Sequence, residues 1–218
     1  MDHWIEILSL IGKGILLINL AVYCIGFSGG GKAYTYFISY LAWILLCEIV
    51  FYVLNSQKIN NLFFSHYYLI GQFLLLGLFF HEIVTEKYQK KTARTLLIII
   101  PVVLVIQYII YPEKYYVFNL FEIFVTSYSI IILALFHLYN ILDTQKKYNY
   151  ISLGLLLYLI SSTVIFLSGN LYTVMNRKLH KEIWVFNVVM FIVYQIFILI
   201  DYLSSRKKMC NYCYDFTK

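Results

Sequence analysis

The sequence predicts an all-α integral membrane bundle of seven transmembrane helices, and three observations carry that prediction. Seven apolar stretches recur along the 218 residues. Each approaches the roughly 20 residues that a helix rising about 1.5 Å per residue needs to cross a ~30 Å hydrocarbon core. Hydrophobic residues make up 61% of the chain and charged residues 13%, with a mean hydropathy of +0.76, so little is left to build a soluble domain. Basic residues fall unevenly on alternate connections, as expected of a chain that threads a membrane repeatedly.

The first span runs Trp4–Phe27. Asp2 and Glu6 stand where a secretory signal would be basic, so this span is expected to stay as an anchor. The second and third spans are Tyr34–Leu54 and His66–Thr85. The fourth, Arg94–Tyr111, contains Pro101, which removes a backbone donor and is expected to kink it, and Pro112 closes it. The fifth, sixth and seventh are Tyr116–Leu142, Tyr150–Leu171 and Glu182–Leu203. Residues 1–205 thus form one transmembrane domain, and 206–218 a short basic tail. Trp4, Tyr34, Tyr67, Tyr111, Tyr116 and Trp184 lie near span ends, where amphipathic rings suit the membrane interface. The scarcity of glycine and proline in the other spans argues against the broken helices of secondary transporters.

Orientation follows from charge. One side carries Lys58, Lys114, Arg177, Lys178 and Lys181. The other carries eleven basic residues, among them Lys87, Lys90, Lys91, Arg94 and Arg206. Eleven against five places the N-terminus outside and the C-terminus in the cytoplasm. The net charge of +6 is then a cytoplasmic skirt against anionic headgroups. Direct nucleic-acid binding is not expected, because the basic residues are scattered over short loops without a reader module.

Several patterns that resemble chemistry fail on their own residues. Gly26 to Ala33 reads GFSGGGKA, the phosphate-loop spacing, but Ala33 lacks the metal-binding hydroxyl and the segment links two spans. Cys210 and Cys213 form one C-x-x-C, two ligands short of a structural zinc site unless a homo-oligomer supplies the rest. Cys24 and Cys47 read as packing residues. The five histidines form no tight ligand cluster, so neither metal nor cofactor is expected. A retinal protein would need a lysine in its seventh helix, and Glu182–Leu203 has none. The paired acid and serine, or clustered histidines, of a membrane hydrolase are missing too, so the chain reads as a non-enzyme.

The intramembrane polar residues are the candidate site, because a charge at bilayer depth costs a few kcal/mol and marks function or a partner. Lys13, Glu48, Gln72, Gln107, Glu122 and Asn187 fall at similar, outward-biased depths and are read as lining a ligand cavity. Lys13 is expected to pair with Glu48 or Glu122. The bland alternative is interhelical hydrogen bonding, worth about 1 kcal/mol per contact or less. At the opposite end His81, Glu82, His137 and Asp201 are candidates for an inner polar lock.

The segments Asn60–Phe80, NNLFFSHYYLIGQFLLLGLFF, and Ser161–Leu171, SSTVIFLSGNL, resemble small seven-span integral membrane proteins of Bacteroidetes. Some of those are encoded beside sensor histidine kinases. The resemblance implies residence in the bacterial inner membrane and a receptor-like or regulatory role. Its ligand would be a small molecule or lipid, and its output a separate cytoplasmic protein. In size and source the chain is also similar to small membrane accessory proteins encoded with RNA-targeting CRISPR effectors. That similarity implies instead an antiviral role, modulating an RNA-guided nuclease or perturbing the membrane.

Overall fold

The computed structural model of the chain describes residues 3–26, 31–117, 119–141, 147–169 and 177–215. The side chains of 3, 166–169, 177–181, 183–184 and 207–215 fall outside that description. Every regular element among the described residues is helical: α1 (His3–Ile25), α2 (Lys32–Ser56), α3 (Leu62–Ile83), α4 (Lys87–Ile110), α5 (Leu120–Ile141), α6 (Asn149–Gly169) and α7 (Arg177–Asp215). Helices are the only open-ended elements that satisfy all their backbone groups internally in hydrocarbon. Six of the seven are long and apolar enough to cross a bilayer, which makes this a multi-pass membrane bundle; the described apolar run of α6, Asn149–Ile165, is shorter.

Successive helices run in alternate directions, giving the bundle two faces. The N-terminal face holds the starts of α1, α3, α5 and α7, and the C-terminal face holds the starts of α2, α4 and α6. In space α1, α2, α3, α5, α6 and α7 close a ring in that order, and α4 packs outside it against α3 and α5. This arrangement explains why α5 is the most enclosed candidate span and α4 the least. Ile98, Ile99, Val102, Val105 and Ile106 of α4 are exposed, an apolar face suited to lipid. Aromatic rings fill the ring of helices: Tyr23, Phe37 and Phe79 from α1, α2 and α3 meet at centroid separations of 5.3 Å.

Two helices outrun their apolar stretches. The fourth span was expected from Arg94, yet α4 begins at Lys87. Gln89 and Ala93 are buried on one side of the extra turns while Lys90, Lys91 and Arg94 stay exposed on the other. That amphipathic start is anchored by a reciprocal amide pair, Gln89 to Asn140 of α5, at 3.1 and 2.6 Å. Helix α7 runs 39 residues and continues through most of the expected tail, carrying Cys210 and Cys213. Before α5, Pro112–Tyr116 forms a 3₁₀ turn, so this helix starts at Leu120 rather than Tyr116. The glycine-rich residues 27–30 lie outside the described residues.

Glycines in the helices make room for large side chains of their neighbours. A methyl built on Gly71 of α3 would collide with the Trp43 indole of α2, and one on Gly154 of α6 would lie 2.6 Å from Phe197 Cβ of α7. Small residues do this in membranes because packing, rather than water expulsion, drives helix association. Gly71→Ala should therefore cost about 1–3 kcal/mol through overpacking. Gly14→Ala, where an added methyl meets nothing within 4 Å, should be neutral or gain up to about 1 kcal/mol of helix propensity. Melting of the two variants in detergent checks the contrast, and equal melting would remove the close α2–α3 approach.

Candidate functional site

A sealed ionisable centre forms at the N-terminal face where α3, α4 and α5 converge. Asn119 caps α5: its backbone oxygen accepts the Ile123 N–H at 3.2 Å and its side-chain oxygen faces the Glu122 N–H at 3.5 Å. This cap places Glu122 in the first turn, where the positive end of the helix dipole favours a carboxylate. The Glu122 carboxyl is fully buried and its Oε2 lies 2.5 Å from Nδ1 of His66, also buried, near the start of α3. Tyr108, in the last turn of α4, donates its hydroxyl to the same Oε2 at 2.6 Å. The Asn119 amide donates to the Tyr108 hydroxyl at 3.0 Å and to Gln107 Oε1 at 2.9 Å.

Geometry fixes the proton count. His66 Nε2 lies 3.1 Å from the Tyr115 carbonyl, which can only accept, so Nε2 carries a hydrogen. At 2.5 Å, Nδ1 and Oε2 cannot present two lone pairs to each other, so one proton stands between them. The centre is thus imidazolium with carboxylate, or imidazole with carboxylic acid, and neutral in both forms. Neutrality is what a low-dielectric site requires of a buried acid. Outside the span, the Tyr115 hydroxyl donates to Tyr67 at 2.7 Å, and this bond first, then desolvation, pushes the Tyr115 phenol up to about 12.

One atom of this centre is unsatisfied. Glu122 Oε1 is buried without a hydrogen-bond partner, as are Gln72 Oε1 and Asn187 Oδ1. Three of the six cavity candidates therefore present an unused acceptor oxygen, and buried polar atoms ordinarily find a donor.

Lys13 and Glu48 form a separate assembly. Their ion pair closes at 3.1 Å across the seam between α1 and α2, with side chains 35% and 29% exposed. Glu122 instead pairs with His66, so the acids serve different helices. Of the residues expected at the opposite end, His81 meets its neighbour Glu82 at 3.4 Å. His137 bonds to Ser152 of α6 at 2.8 Å, and Asp201 of α7 accepts the Tyr150 N–H at 3.2 Å. Asp201 thereby caps α6 from another helix, next to Tyr148 in the left-handed region at φ 70°. Sequence reasoning missed His66 and Tyr108 as partners of Glu122. The available signal was that both stand at span ends on the same face as Glu122. Among the described residues, no group of three or more metal-ligating side chains could hold an ion.

Removing one member of a buried pair strands the other, typically at about 3–5 kcal/mol. Glu122→Leu should lower stability by that order, Glu122→Gln by much less, and His66→Leu combined with Glu122→Leu should recover part of the loss. A double-mutant cycle on the purified protein measures this coupling, and strictly additive losses would dissolve the pair.

Comparison with known proteins gives no match: no family model, no curated protein and no solved structure matches this chain. The chemistry of the centre is therefore the ground on which its role is read.

Proposed function

We propose that the chain is a non-enzymatic, receptor-like regulatory module of the bacterial inner membrane. In this reading all seven helices cross the bilayer, with the N-terminus outside and the C-terminus in the cytoplasm. The observation that carries it is Glu122 Oε1, an acceptor held rigid by His66, Tyr108 and Asn119 yet left without a donor. A preorganised, unsatisfied acceptor inside a membrane bundle suits a ligand that brings hydrogen-bond donors. The chemical class is a small amine or a lipid headgroup carrying one. The centre ties α3, α4 and α5 together, so a ligand that draws on Glu122 also changes how these helices hold one another. The described residues contain no soluble output domain, so the signal passes to a separate cytoplasmic protein through the basic C-terminal face, where Lys90, Lys91 and Arg94 are exposed.

Two measurements test this reading. The protein in nanodiscs should gain thermal stability with methylammonium or ethanolamine, by about 2.7 kcal/mol at a hundredfold excess over the dissociation constant. Glu122→Gln should abolish the gain while remaining folded. Stability that is indifferent to every amine in the unsubstituted protein would sink the ligand reading.

Orientation is tested independently in a cysteine-free background. Lys58→Cys should react with a membrane-impermeant maleimide on intact spheroplasts, and Lys90→Cys should react only after lysis. The reverse pattern would invert the topology.

A further inference from the structure

The ring of helices encloses a second polar system that the His66–Glu122 centre does not use. Tyr40 of α2, Tyr68 of α3, Tyr158 of α6 and Tyr194 of α7 converge on the middle of the bundle. Tyr40 and Tyr194 are completely buried. Tyr158 and Tyr194 stack with rings parallel to within 6° at 5.7 Å. The Tyr40 hydroxyl faces that of Tyr194, and neither has a partner within normal hydrogen-bond distance. Beside them on α1 and α7, Asn19 donates to the backbone and side-chain oxygens of Gln195 at 2.8 and 2.9 Å. That leaves Asn19 Oδ1 and Gln195 Nε2 buried and unpartnered.

Four unsatisfied polar atoms in the middle of an apolar bundle mark where internal water belongs, since each would otherwise forfeit a hydrogen bond. Both ends of this core meet a carboxylate. Toward the N-terminal face, Tyr68 and Tyr158 lie within the electrostatic reach of Glu48. Toward the C-terminal face, Tyr23 of α1 lies within reach of Asp201 and packs on Tyr202 at 5.2 Å. Its hydroxyl faces the Ile198 carbonyl at 3.4 Å. Glu48 to Tyr40 is two turns of α2, and Tyr194 to Asp201 two turns of α7. Together they cover on the order of 20 Å along the axis, most of a ~30 Å hydrocarbon core.

We propose that this track conducts protons across the membrane, from Glu48 through the hydroxyls of Tyr68, Tyr158, Tyr40, Tyr194 and Tyr23, bridged by internal water, to Asp201. At each step a phenol accepts a proton on its oxygen from the preceding donor and releases its own to the next acceptor. Each O–H bond formed is matched by one broken, and no tyrosine ends ionised. Glu48 takes the proton from water at the α1–α2 seam, where it is 29% exposed beside Lys13. Asp201 delivers it to the C-terminal face. The track involves neither Glu122 nor His66, and its readout is flux rather than ligand-dependent stability, so it stands or falls separately from the receptor reading.

The test is proton flux into liposomes containing the full-length chain, driven by a potassium gradient with valinomycin and read by an internal pH dye. The unsubstituted protein should acidify liposomes well above protein-free ones. Tyr40→Phe combined with Tyr194→Phe should cut that flux at least tenfold. Each substitution keeps the packed ring and removes only a hydroxyl, so the pair should stay folded, which the melting curve checks, and either single substitution serves if the pair does not fold. Glu48→Gln should lower the flux as well, whereas Tyr128→Phe, an exposed residue of α5, should not. Flux no greater than in protein-free liposomes, or flux undiminished by loss of the Tyr40 and Tyr194 hydroxyls, would overturn the proposal.

Discussion

Everything in this protein depends on the expense of an unpaired polar atom in hydrocarbon. That expense forces the backbone into helices, whose hydrogen bonds close within each segment. It then acts on side chains, drawing Glu122 to His66, Lys13 to Glu48 and Gln89 to Asn140. The same constraint governs helix ends. Asn119 serves the first turn of α5, and Asp201 reaches from α7 to serve the first turn of α6. A helix start inside a bundle cannot count on water for its free N–H groups, so a neighbouring side chain supplies the acceptor.

Polar partners also decide which helices are tied together. The apolar surface of a membrane helix is indifferent to whether it meets lipid or another helix, so close packing and hydrogen bonds select its neighbours. Here the pairings span α1–α2, α1–α7, α3–α5, α4–α5, α5–α6 and α6–α7. These follow the ring and its docked fourth helix. Gly71 and Gly154 add the seating of Trp43 of α2 on α3 and of Phe197 of α7 on α6. The polar residues that look like candidate chemistry are thus also the bundle's fasteners.

That double role makes the exceptions informative. A fastener is finished when each of its polar atoms has a partner. His137 with Ser152 and Gln89 with Asn140 read as such fasteners. Glu122 Oε1, the Tyr40 and Tyr194 hydroxyls, Asn19 Oδ1 and Gln195 Nε2 are buried and have none. Structure that leaves such atoms unsatisfied gives up stability. Among the places where it does so, the N-terminal His66–Glu122 centre and the tyrosine core each join such atoms to further polar groups, and function is best sought there.

The sequence by itself determined the helices, because hydropathy over some 20 residues is a local property that lipid reads directly. The six qualifying spans lie where the apolar stretches predict them. It also marked Lys13, Glu48, Gln107 and Glu122 as residues too costly to leave without partners. It misjudged the extents of α4 and α7, since amphipathic turns and a helical tail continue a helix past the point where hydropathy falls. Only the tertiary structure decided the pairings. Depth along a helix can be counted from the sequence, but rotation about its axis and the choice of neighbour cannot. That is why Glu122, read as a possible partner of Lys13, is paired instead with His66 and Tyr108. It is also why tyrosines far apart in the chain come together in the middle of the bundle, two of them with unsatisfied hydroxyls.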